Sequence, residues 1–319
     1  MKSSAKAHPI QGLIKYHGLK DERLRIPFHD SISVATAPTE THTTIEFVGT
    51  AGDSATIDGK PASQREMVRI QSVVDEVRRR SSVENSFRME SKNNFPSNVG
   101  LGASASGFAA LAVAACSAAE LKLSLEEMST IARRGAGSAA RSVTGAFSLW
   151  RTGHDDEESY SYQIASEEFQ MGIVVAVIPA HKLTDDAHKD VLTSPFFHSR
   201  LAYIHGAIAE MQSAIRHKDI ARLGELAEKD SLILHGITMT GLEELILWRP
   251  ETVSVILEVK KMRSEGIPAH FSIDTGATVY VNTTLELVPV VRDRIRQLGI
   301  ETIECSVGGC ARTTDDHLF

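Results

Sequence analysis

Hydrophobic positions in this chain recur at two periods. Residues 31–37 (SISVATA) and 43–48 (TTIEFV) are rich in β-branched side chains and read as strands. Residues 56–60 (TIDGK) mark a turn between two short strands. From about 63 to 80 the apolar positions Met67, Ile70, Val73, Val74 and Val77 recur at three and four, the spacing of an amphipathic helix. A strand is expected near 87–91. After it comes a glycine-rich turn and then an alanine-rich helix over 106–118, whose small side chains suit close packing in the interior. Ser124 with Glu127 forms a capping box that opens the next helix, ending near Arg134. The continuous apolar run 171–179 (MGIVVAVIP) predicts a buried strand. Helical patterns cover about 200–216, 219–234 and 251–265, the last starting at Pro250 and stopping at Gly266. Strands at 269–273, 278–281 and 301–306, with a helix between the last two, complete an alternating α+β or α/β chain. Only the polar stretch 153–168 marks a boundary, dividing the chain into 1–165 and 166–319.

Composition narrows the picture. A length of 319 residues gives one large domain or two ordinary ones, with room for a cleft between them. Apolar residues at 42% and charged residues at 24% are a globular balance. A net charge of −7 argues against nucleic acid as a partner, because phosphate backbones demand clustered cations. The one tight basic run, Arg78 to Arg80, reads as a solvated helix end. No stretch approaches the ~18 apolar residues of a membrane span, and the start lacks the apolar core of a signal peptide. Cys116, Cys305 and Cys310 have no CxxC spacing, so neither a disulfide framework nor a zinc site is expected. The cytoplasm is the expected compartment.

The strongest local signal is residues 94–107 (NFPSNVGLGASASG), running into the alanine-rich helix. Small residues let a backbone approach a ligand closely, and N–H groups at a helix start offer a phosphate site. Pro96, Gly100, Leu101, Gly102, Ala103, Ser104, Ala105 and Ser106 are therefore the expected nucleotide-binding residues. The Ser104 hydroxyl is the one expected near a phosphate or its magnesium. No Gly-Lys-Ser/Thr follows, so this is not a Walker loop. A glycine turn before a tightly packed helix is the alternative reading.

Together with four further segments, this loop resembles the GHMP small-molecule kinase superfamily, and within it the mevalonate diphosphate decarboxylases. Residues 13–18 (LIKYHG) resemble their LIKYWGK element, and 30–34 (DSISV) their SSISV strand. Residues 137–142 (GSAARS) resemble GSACRS, and 271–277 (FSIDTGA) resemble TFDAGPN. The histidine of KYHG and the IDTGA-like segment are more similar still to archaeal-type phosphomevalonate decarboxylases. The resemblance implies a two-domain GHMP kinase fold with a left-handed βαβ crossover in the N-terminal domain and a ferredoxin-like C-terminal domain. It implies ATP and Mg2+, a phosphorylated mevalonate as substrate, and perhaps-shared family habits such as a homodimer, all by analogy.

By the same resemblance, Asp274 contacts the tertiary 3-hydroxyl and assists its phosphorylation, after which phosphate and CO2 leave. Read alone, an Asp before Thr-Gly is a turn residue. Lys15 sits near the aspartate and keeps it ionised; Arg141 presents its planar fork to the C1 carboxylate. Tyr16, His17, Lys20 and Ser138 complete the expected substrate site. Three departures bear on the substrate. Leu19 stands where the diphosphate enzymes have a lysine, Ala136 where they have a serine, and Val191 near an arginine. Fewer donors suit one phosphate fewer, mevalonate 5-phosphate, because unpaired phosphate charge in a closed site is costly. His188 and Lys189 lie in the same region as possible replacements. Mevalonate 5-diphosphate decarboxylase, mevalonate 3-kinase and a non-catalytic nucleotide sensor are the alternatives; Asp274 with Lys15 favours the decarboxylase.

Overall fold

The computed structural model describes residues 1–49, 52–97, 100–179 and 184–319, without the side chains of 184–186. Two sheets organise them. In the six-stranded one the order is Arg312–Thr314, Lys2–Ala7, Thr41–Val48, Ser86–Asn93, Ser54–Ile57 and Lys60–Pro61. Ser54–Ile57 and Ser86–Asn93 run parallel, and the helix Gln64–Arg80 lies in the connection between them. Its Ile70, Val73, Val74 and Val77 meet Ile45, Phe87 and Met89 of the sheet in one apolar cluster. The helix Ala103–Ala118 sits within that cluster, buried almost all round. It therefore has no polar face, as expected of a helix enclosed on every side. Capping boxes start Gln64–Arg80 at Ser63 and Leu125–Gly135 at Ser124.

The second sheet has eight strands. Its order is Ser161–Ala165, Phe147–Trp150, Ser31–Ala37, Glu301–Val307, Gly172–Val177, Val279–Thr283 and His270–Ile273, with Ile10–Ile14 also paired to Ser31–Ala37. Its last four strands stand in the sequence order fourth, first, third, second and are all antiparallel. With helices in their connections this is the ferredoxin-like arrangement. Only Ser306↔Ala37 and Val307↔Thr36 join these strands to the rest. The chain then returns to lay Arg312–Thr314 beside Lys2–Ala7. The mixed two-domain GHMP architecture expected from the resemblance is the one observed.

Several local expectations shift. The helix expected from 106 starts at Ala103, and that expected to end at 234 runs to Met239. Lys2–Ala7, Ile10–Ile14, Phe147–Trp150 and Ser161–Ala165 were not anticipated as strands. Lys2–Ala7 (KSSAKA) is small and polar yet buried on both faces, so it carries no alternation to read. The Arg78–Arg80 run is not simply solvated. Arg79 and Arg80 bracket Glu76, which is 4% exposed, and Arg78 pairs with Asp53 at 2.8 Å. Among the described residues no helix is long and apolar enough to cross a membrane.

Candidate active site

The strand Ile10–Ile14 and the end of the strand His270–Ile273 approach across the cleft, and their meeting point builds the site. The main-chain N–H of Gly12 donates to Asp274 Oδ1 at 3.1 Å and Oδ2 at 3.4 Å. A Cβ on Gly12 would stand 2.8 Å from Asp274 Oδ1 and 2.6 Å from Lys15 Cγ, so only glycine lets the two side chains converge. Beyond Ile273 the chain turns, Gly276 N–H and His235 Nε2 both reaching the main-chain carbonyl of Asp274 at 2.9 and 3.0 Å. The carboxylate is thus fixed by its backbone and by a donor from the other half of the chain.

Lys15 is 4% exposed, and its Nζ donates to Ser231 Oγ at 3.0 Å and Ser272 Oγ at 2.9 Å. Asp230 Oδ2 lies 3.9 Å from the same Nζ and accepts the Lys15 main-chain N–H at 2.9 Å. Behind it Arg200 pairs with Asp230 at 2.9 Å, both fully buried, and also donates to Lys15 O. Burial lowers the Lys15 pKa below 10.5, while Asp230 and then Asp274 act to raise it. Two carboxylates flanking one ammonium keep the cation in a place where burial alone would discharge it.

Arg141, on the short helix Ala139–Thr144, is 2% exposed and donates through Nη1 to Ser31 Oγ. Its guanidinium lies 5.5 Å from the Tyr16 ring centre and 5.8 Å from that of Trp150. Burial pushes its pKa down to about 10, which leaves it charged at neutral pH. Its Nε is buried without a partner, an orphaned donor of the kind a carboxylate satisfies.

Gly100 and Gly102 hold φ of +83° and +76°, and the helix Ala103–Ala118 begins at once with no side-chain cap and no acidic residue in its first turn. Its leading N–H groups and its dipole therefore stay available to an anion. A single cavity joins these parts: Gly12, Lys15, Tyr16, Gly100, Gly102, Ala105, Ser138, Arg141, His188 and Asp274 all line it. It encloses about 650 Å³ of space counting its open mouth.

Other expected residues fall elsewhere. Among the loop residues, Leu101 is buried in the apolar core, Pro96 is exposed, and Ala103 packs against that core. Ser104 is half-buried on the first helical turn. Ser106 is fully buried and bonds Thr41 Oγ1 at 2.6 Å, which turns it away from the cleft. His17 is likewise enclosed, with its ring nitrogens 3.1 Å from His188 and 3.3 Å from Thr238; burial lowers its pKa well below 6.5. Lys20 is exposed and donates to Gly153 O. Of the three departures, Val191 is buried with Phe197 and Ile237, and Ala136 lies in the first core.

Reading the sequence missed Gly12, Arg200, Asp230, Ser231 and His235. A signal existed for two of them. In the helix Ile220–Met239 the buried stripe Leu223, Leu226, Ala227, Asp230, Ser231, Leu234 places a carboxylate on the apolar face. In Phe197–Arg216 the buried residues Phe197, Arg200, Ile204, Ala207 and Met211 do the same for a guanidinium. A charge on a buried stripe needs a partner, and these two are each other's.

Known proteins share both sequence and shape with this chain. A model of the diphosphomevalonate decarboxylase-like N-terminal domain matches residues 7–161. A phosphomevalonate decarboxylase of Haloferax volcanii is 47% identical over 319 residues, covering 99% of this chain and 98% of its own. A diphosphomevalonate decarboxylase of Candida albicans is 29% identical over 305 residues, 88% of this chain and 84% of its own. The solved structure of MDDEF in complex with MVAPP, AMPPCP and magnesium superposes with a TM-score of 0.93 at 28% identity, covering 99% of each chain. With full-length similarity joined to this cleft, the chain belongs to the diphosphomevalonate decarboxylase-like family.

Proposed function

We propose that this protein uses ATP to decarboxylate mevalonate 5-phosphate, releasing isopentenyl phosphate, ADP, phosphate and CO2. The observation that carries the reading is the Asp274–Lys15 pair gathered across Gly12 and facing the orphaned Arg141 Nε within one cavity. The 47% identical relative bears the same activity in its name, and the relative named for the diphosphate is more distant at 29%.

Each residue then has a task. Arg141 holds the C1 carboxylate through a charge-assisted contact. Asp274 accepts the proton of the 3-hydroxyl as its oxygen bonds the γ-phosphorus of ATP and the bond to ADP breaks. Lys15 balances the charge of Asp230 and Asp274 and steadies the negative charge that builds during transfer. Next the C3–O bond breaks, phosphate departs with the electron pair, and the C1–C2 bond gives its electrons to a new C2=C3 double bond as CO2 leaves. The open helix start beside Gly100 and Gly102 is the proposed seat of the nucleotide phosphates.

Among the described residues no three His, Cys, Asp or Glu side chains gather as a metal cage. That suits Mg2+ arriving with nucleotide, since it is usually held by phosphates, waters and one or two protein oxygens. Ser104 is the proposed protein hydroxyl nearest to it. The cleft lies between domains of residues 1–165, supplying Lys15, Arg141 and the loop, and 166–319, supplying Asp274. By family analogy the assembly is a homodimer and the compartment the cytoplasm.

Competition between the mono- and diphosphates in one reaction tests the substrate. The expected preference for mevalonate 5-phosphate is at least ~10-fold in kcat/KM, about 1.4 kcal/mol. Isopentenyl diphosphate as the main product overturns the monophosphate assignment and leaves the decarboxylase standing. Accumulation of a 3-phosphate without CO2 points instead to a 3-kinase.

A further inference from the structure

His188 stands on the helix Thr184–Asp190, is 6% exposed, and lines the cavity with Arg141, Ser138 and Asp274. Its ring stacks on Tyr16, with centroids 5.0 Å apart and planes 14° from parallel. The Gly18 main-chain N–H donates to its Nδ1 at 3.2 Å. A backbone amide only donates, so this Nδ1 bears no hydrogen. His17 Nδ1 lies 3.1 Å from the same atom, and two hydrogen-free nitrogens do not form such a contact. His17 is therefore a second donor, and Thr238 Oγ1 at 3.3 Å serves its Nε2. A ring nitrogen's state is set by the bond its counterpart makes. With Nδ1 accepting twice, His188 carries its hydrogen on Nε2, on the side of the ring away from Gly18 and His17.

Resting on the function proposed above, we propose that His188 Nε2–H receives the 5-phosphate of the substrate and sets the preference for a single phosphate there. Arg141 is committed to the carboxylate, Lys15 and Asp274 to the 3-hydroxyl, and the helix start to the nucleotide. The cavity donors remaining for the 5-phosphate are His188 and the hydroxyls of Tyr16 and Ser138. The neighbouring cations point elsewhere: Lys189 pairs with Glu22 at 3.2 Å on the exposed surface, and Lys20 binds Gly153 O. Three neutral donors suit one phosphate, and a second would enter without a cation to meet it.

Two substitutions separate the ring nitrogens. His188→Gln can return an N–H near the Nε2 position, whereas His188→Asn reaches only the Nδ1 position and preserves the link to Gly18 and His17. We expect His188→Asn to lose about 10–100-fold in kcat/KM for mevalonate 5-phosphate, mainly through KM, as for a hydrogen bond to a charged group. The KM for ATP and the melting temperature should hold, and His188→Gln should recover most of the loss. The opposite ranking, Asn active and Gln inactive, overturns the proposal, because His188 then acts only through Nδ1. Equal losses in both variants with a lowered melting temperature overturn it too. Wild-type enzyme that ignores mevalonate 5-phosphate overturns the functional reading itself, which this control identifies separately.

Discussion

Gly12→Ala is the sharpest probe of how the site is assembled. The added methyl would lie 2.6 Å from Lys15 Cγ and 2.8 Å from Asp274 Oδ1. Carbon atoms in contact prefer roughly 3.5–4.0 Å, so the two side chains must give way by about 1 Å between them. Lys15 has little freedom to yield, since Ser231 and Ser272 hold its Nζ and Asp230 holds its backbone. The displacement therefore falls largely on Asp274, which loses its alignment on the Gly12 N–H. A misplacement of ~1 Å at a reacting group costs on the order of 10²-fold. That factor corresponds to about 2.7 kcal/mol in the barrier. Overpacking itself is expected to destabilise the fold by ~1–3 kcal/mol, too little to unfold a protein of this size at room temperature. Steady-state ADP release gives kcat, equilibrium binding gives the nucleotide affinity, and circular dichroism confirms the fold. A variant folded, nucleotide-binding and within threefold of wild-type kcat would refute the claim that Asp274 depends on the bare backbone at position 12.

Three further outcomes follow from the same geometry. Asp274→Asn should keep fold and nucleotide binding while turnover drops by two or more decades, the range for general-base or electrostatic help of ~10²–10⁴-fold; near-normal turnover removes it from catalysis. Arg141→Lys keeps a charge but loses the planar fork, so kcat/KM for the phosphorylated mevalonate should fall roughly 10–100-fold with ATP affinity unchanged. Unaltered constants would mean that the carboxylate binds elsewhere. Asp230→Asn leaves the buried Arg200 and Lys15 without their shared anion and should cost ~3–5 kcal/mol in urea unfolding. A shift under 1 kcal/mol would show the pair to be dispensable.

Local order was legible in the residues themselves. Capping boxes at Ser124 and the Pro250–Gly266 bracket announce helix ends because their hydrogen bonds close within one turn. The apolar run at 171–179 announces a strand covered on both faces, and the motif around Asp274 announces a carboxylate at a strand end. Conversely, sequence alone leaves Lys2–Ala7 silent, because burial of small polar residues on both faces leaves no period.

Tertiary structure decided what stands opposite what. Gly12 and Asp274 are 262 residues apart, and nothing in either neighbourhood encodes their contact. His17 and His188 are separated by 171 residues; only folding shows that the first is enclosed and the second faces the cleft. Arg200 and Asp230 read locally as breaks in two apolar stripes, and they become intelligible once the helices pack and the charges meet. The physical reason is common to all three. Helix caps and strand patterns are settled by neighbours along the chain, whereas a catalytic pairing is settled by strand register and helix packing, which are properties of the whole fold.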